Sequence, residues 1–129
     1  MALIRPISTS ERATSLWQNS SPSTAYAAST VTLADSINNY RYLKIVFRLS
    51  TSLTDTFSSI VDTSNFDDTS ISAGGTFAGS CASRIGQVVY CRRFCYSAAN
   101  SIDFSIAHTV NTAGSDNSNL IPIEIIGIK

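Results

Sequence analysis

Residues 41–49 read Arg41-Tyr42-Leu43-Lys44-Ile45-Val46-Phe47-Arg48-Leu49. Leu43, Ile45, Phe47 and Leu49 share one side of an extended chain. Tyr42, Lys44, Val46 and Arg48 take the other. A period of two is the mark of a strand with one face in a core and one face mostly wet. Such a strand needs hydrogen-bonded neighbours at both edges and a second apolar layer over its inner face. The fold class follows from whether the rest of the chain supplies them.

Outward from this strand, the chain offers more of the same. Asp55 to Thr63 sets Phe57, Ser59 and Val61 against Ser58, Ile60 and Asp62, a hairpin partner for 41–49. Upstream, Thr14 to Gln18 is a short strand centred on Leu16 and Trp17. The composition of Asn19 to Thr24 is that of a turn. Ala25 to Leu33 reads as a second strand with Ala25, Ala27, Val31 and Leu33 on one face. Downstream, Ala82 to Ser97 is the longest strand-like run, with Val88, Tyr90, Phe94 and Tyr96 on one side and Arg92 interrupting them. A bulge is expected near Gly86. Ser101 to Val110 sets Ile102, Phe104, Ile106, His108 and Val110 against Asp103, Ser105, Ala107 and Thr109. Residues 111–119 read as a hairpin loop. Leu120 to Lys129 closes the chain as a β-branched strand, whose start Pro122 places at an edge or outside the ladder. Residues 64–80 form the longest irregular stretch, with at most a short strand near Ile71, and residues 1–13 an extended arm. Seven or eight strands without a sustained helical period predict an all-β fold, an antiparallel β-sandwich of jelly-roll type over 14–129.

Composition narrows the function classes. The 129 residues carry 9 basic and 9 acidic side chains, so no positive excess draws a phosphate backbone and nucleic acid is not the expected partner. Charged residues make up 14%, against an average of about 25%. Ser and Thr, 35 residues in all, supply the missing polarity. No apolar run reaches the ~20 residues of a membrane helix, and the first residues lack the apolar core of a secretory signal. Cys81, Cys91 and Cys95 cannot all pair. Cys91 and Cys95 on one face of one strand stand ~13 Å apart, too far for a disulfide; Cys81 could pair with one of them across strands only if a turn brings them together, and three free thiols acting as small hydrophobes are the expectation. No catalytic pattern emerges. His108 is the single histidine and lies on an apolar strand face, as a core or interface histidine does. No G-x-S-x-G elbow accompanies it. The Cys/His spacing fits no zinc module, and Asp62, Asp67 and Asp68 lack the spaced run of a calcium loop. The reading is of a non-enzyme without cofactor or metal.

Three segments carry a resemblance: LWQNSSPSTAYAASTVTL at 16–33, YRYLKIVFRLS at 40–50, and YCRRFCYSAANSIDFSIAHTVNTAGSDNSNLIPIEIIGIK at 90–129. Together they resemble small β-rich proteins and fibre-tip domains of tailed bacteriophages and prophages. The resemblance implies a virion structural protein of fibre or receptor-binding type. It would be made in the host cytoplasm and located in the particle, contacting other virion proteins or a bacterial surface glycan. A homo-oligomer, a trimer first, is the expected state. Capsid decoration is the alternative in the same class, and a carbohydrate-binding module the alternative outside it. No catalytic residue belongs to the shared pattern. The surface-contact candidates are Tyr26, Tyr40, Tyr42, Asp67 and Asp68. Tyr90 and Tyr96 are further aromatics of interest, because a tyrosine at a loop end can stack on a sugar ring.

Overall fold

A computed structural model describes residues 12–65, 79–110 and 114–129. The described chain forms eight strands: β1 (Ala13–Gln18), β2 (Ser29–Thr32), β3 (Tyr42–Ser50), β4 (Thr56–Asp62), β5 (Gly79–Ile85), β6 (Val88–Ala98), β7 (Ser101–Thr109) and β8 (Asn119–Ile128). They make two antiparallel four-stranded sheets, ordered β1-β8-β3-β4 and β2-β7-β6-β5. This is the sandwich that the alternating pattern predicts. The arm and the 64–80 loop, including its suggested strand near Ile71, lie largely outside the described residues.

The quoted stretch sits where its pattern requires. β3 pairs β8 on one edge and β4 on the other. Leu43, Ile45 and Phe47 are fully buried, while Tyr42, Lys44, Val46 and Arg48 remain partly open on the other face. The second apolar layer is β6 and β7, which present Phe94, Ile102 and Phe104. Phe47 is the meeting point. Its ring lies 5.6 Å from Phe57, 6.4 Å from Phe94 and 6.3 Å from Phe104, the last edge-on. Contacts of this geometry each contribute about 0.5–1.5 kcal/mol beyond area burial.

Bonds across the two sides of the sandwich tie the sheets together. On one side the Ala34 N–H donates to Leu16 O at 2.9 Å, joining the ends of β1 and β2. On the other, the Ser59 hydroxyl of β4 donates to Ser80 O of β5 at 3.1 Å. Beside it, a Cβ on Gly79 would come within 2.7 Å of the Phe94 ring, so glycine leaves room on β5 for the ring of its ladder partner on β6.

Four expectations need correction. The strand expected over Ala25 to Leu33 shrinks to Ser29–Thr32. Tyr26 and Val31 both turn to the core although an odd spacing separates them, and the small alanines between cannot hold the alternation. The long run Ala82 to Ser97 is two strands, not one bulged strand. Gly86 and Gln87 form a two-residue turn between Ile85 and Val88, with Gly86 at φ 64°. That is the left-handed conformation glycine adopts at the head of a hairpin turn. In β7 the alternation breaks. Arg92 faces Ala107 but Phe94 faces Phe104, so two residues of β7, Ser105 and Ile106, oppose Arg93 alone. This bulge carries Ala107 into the core and turns Ile106, His108 and Val110 outward. Finally, Pro122 lies inside β8, paired with Phe47. The ladder with β1 stops at Glu124, so the absent N–H of Pro122 costs no bond on that side.

Candidate functional site

The sequence-derived contact residues do not form one surface. Tyr40 is buried, with its hydroxyl donating to Asp35 at 3.0 Å and its ring packed flat on Gly127. It is a core residue and not a contact aromatic. Asp35 also accepts from the Ser36 N–H at 2.8 Å and the Asn39 amide at 2.9 Å. These bonds, that from Tyr40 foremost, hold its carboxyl below the ordinary value. Tyr26 is half-buried and packs edge-on to Trp17 and Phe104. Its hydroxyl accepts from Ser29 at 2.7 Å. Tyr90 and Tyr96 likewise pack against the core. Tyr42 stays on the outer face of β3 beside the Arg41 guanidinium, 5.2 Å away. Asp67 and Asp68 lie outside the described residues.

Under Tyr26 lies a group that sequence reasoning took for an interruption. Arg92 is fully buried. Its Nε donates to Leu120 O at 2.7 Å, its two terminal nitrogens to Ser105 O at 2.7 Å and Asn119 O at 3.1 Å. The Tyr26 ring covers the guanidinium at 5.4 Å. All three acceptors are main-chain carbonyls, at the bulge of β7 and the start of β8. Leu120 has φ 51°, a left-handed conformation that leucine rarely adopts. A buried fork with fixed N–H directions is what can hold that backbone in place. Burial pushes the Arg92 pKa down to about 10, still well above neutrality. The cation is therefore a structural clamp. Its only sequence signal was a charge on an otherwise apolar strand face.

The three cysteines are free. Cys81 points into the core, where burial raises its thiol to about 12. Cys91 and Cys95 are on the outer face of β6, opposite His108 and Asp103 of β7 respectively. His108 is therefore not a core residue; the bulge has placed it half-buried on the outside. Among the described residues no group of three or more metal-ligating side chains converges.

The outer faces of both sheets are open, and that of the β2-β7-β6-β5 sheet carries the denser set of exposed apolar and charged side chains. Register places Val110, Val89 and Arg84 in one row and His108, Cys91 and Ala82 in the next. Ile106 and Arg93 flank the bulge. Val89, Ile106 and Val110 are 36%, 41% and 53% exposed. Farther along the same face, Asp103 takes a bond from the Thr30 hydroxyl. Val89 and Val110 stand side by side at the end of this face, with Ile106 beyond the His108–Cys91 row and Arg84 and Arg93 around them. No family model, curated protein or solved structure matches the chain.

Proposed function

We propose that the chain is a structural component of a tailed-bacteriophage particle, a displayed β-sandwich that contacts neighbouring virion proteins or the host surface. The observation that carries the reading is the exposed Val89–Val110 pair at one end of the second sheet, with exposed Ile106 farther along the same face. An apolar cluster on an otherwise hydroxyl-rich surface favours a role in assembly. The three segments that resemble phage fibre-tip and small virion proteins agree with it. So does the use of the unusual polar groups, Arg92, Asp35 and Tyr40, in holding the fold. The test is to induce particle production in a host carrying the gene with an epitope tag, and to purify particles by density gradient. Co-purification at constant stoichiometry, with antibody labelling at a fixed place on the particle, is the expected result. A protein found only in the soluble fraction overturns it.

A further inference from the structure

We propose that two copies of this chain associate through the outer faces of their β2-β7-β6-β5 sheets, about a two-fold axis that runs along the strands between β6 and β7. The pattern on that face is what selects a second copy as the occupant. β6 and β7 are the inner strands of the sheet, and their outward residues match pair by pair. Val89 stands beside Val110, since the Val110 N–H donates to Val89 O at 3.0 Å, and Cys91 stands beside His108. An axis between the two strands exchanges their columns. It lays Val89 over the partner's Val110 and Cys91 over the partner's His108. The apolar end therefore covers itself, and neither Val89 nor Val110 is left facing water.

The charges agree with this arrangement. Arg93 on β6 comes over the β7 column of the other copy, one step from the partner's Asp103. The reciprocal contact forms by symmetry, as an isologous interface demands. Arg84 is on β5 and falls at the rim, whereas the two Arg93 side chains meet at one height on either side of the axis, each with the partner's Asp103 one step away. The opposite choice, an axis across the strands, would turn each apolar end toward the polar end of the other sheet, where Thr30, Thr32, Ser97 and Ser101 lie.

Area sets the strength. The strands β2, β7, β6 and β5 carry 4, 9, 11 and 7 residues, which at ~3.4 Å rise and ~4.8 Å spacing make a face of roughly 500 Å². Both copies together bury on the order of 1,000 Å², about the least a specific interface shows. An interface this small belongs to the weak, reversible class and not to the obligate one, with a dissociation constant between about micromolar and millimolar. The inference does not depend on the particle reading: a monomer in solution would refute it and leave co-purification with particles untouched.

The experiment is sedimentation equilibrium of the intact protein over a wide concentration range under reducing conditions. A monomer of 13.8 kDa passing to twice that mass is expected. Val89→Glu and Val110→Glu should each weaken the dimer by about tenfold or more, with the far-ultraviolet spectrum unchanged because both side chains point to solvent. Ile60→Glu, 61% exposed on the outer face of the other sheet, should leave the dimer intact. A protein that stays monomeric at about millimolar concentration, the top of the range this area predicts, overturns the proposal. So does a mass of three copies or more, or a dimer lost with Ile60→Glu and kept with the valine variants.

Discussion

Arg92 shows how one side chain can hold a fold together without an ion partner. Its guanidinium is spread over three carbonyls that would otherwise be buried with no donor from this residue. Removing it leaves those carbonyls under-satisfied, and each buried polar group so orphaned costs about 1–3 kcal/mol. Arg92→Met should therefore lower stability by about 3 kcal/mol or more, read as a shift in the urea midpoint. Arg92→Lys should recover only a part, because an ammonium cannot reproduce the fork. An outcome in which methionine matches the parent protein would show that the carbonyls find other donors. A second residue-scale constraint sits at Gly127. A Cβ there would lie 2.6 Å from the Tyr40 ring, closer than packing allows. Tyr40 cannot retreat freely while its hydroxyl bonds Asp35. Gly127→Ala should cost about 1–3 kcal/mol, and the cost should shrink in a Tyr40→Leu background if the ring is the obstacle. Neither constraint was visible in the sequence. An arginine on an apolar face and a glycine in a strand each admit many readings until the layer opposite is known.

At the scale of elements, alternation was legible wherever it ran unbroken. β4, and β3 as far as Phe47, keep one phase, and their inward residues are those the period of two selects; at the end of β3 the phase slips, so that Ser50 is buried and Leu49 only partly so. Alternation failed where the backbone changes phase. The bulge in β7 inverts the faces after Phe104, so Ile106, His108 and Val110 were assigned to the core and lie outside. Hydrophobicity could not reveal this, because the residues that turn outward are as apolar as those that stay in. The turn at Gly86 was half legible. Glycine marked an irregularity, but a bulge and a two-residue hairpin differ only in which strand follows. The distinction is testable. At Gly86 the Cβ site is open space, so the penalty of substitution is conformational alone. Gly86→Ala should destabilise by about 1 kcal/mol and Gly86→Asn by less, since asparagine tolerates the left-handed region. Equal effects of both in thermal unfolding would mean the turn relaxes to another type.

Across the whole molecule, the sheet count and the sandwich followed from strand number and turn composition, whereas the strand order did not. Pairing of β8 between β1 and β3 joins both ends of the domain, a long-range choice that no local pattern encodes. The packed whole also sets how stability responds to pH. Cys81 has its thiol raised from 9.0 to about 12 by burial, and burial also raises the phenols of Tyr26 and Tyr40 above 10.0. For each, the folded state holds the proton more tightly than the unfolded chain. The stabilisation is complete below the unfolded value and is lost as pH rises toward the folded one. The depressed carboxyls of Asp35 and Asp62 act in the opposite direction: their contribution is present above the unfolded value of 3.8 and fades as pH falls through their folded values. Arg92 is lowered from 12.5 to about 10, so the unfolded chain binds more protons between those values and its contribution rises with pH there. Cys81 and Cys95, both raised from 9.0, begin to act near pH 9, before Arg92 offsets them. Urea midpoints should therefore be level through neutrality, fall from about pH 9, and fall less steeply between about pH 9 and 10 in Cys81→Ala than in the parent. A parent protein with no loss of stability from pH 8 to 10 would place the Cys81 thiol in contact with solvent and contradict its position in the core.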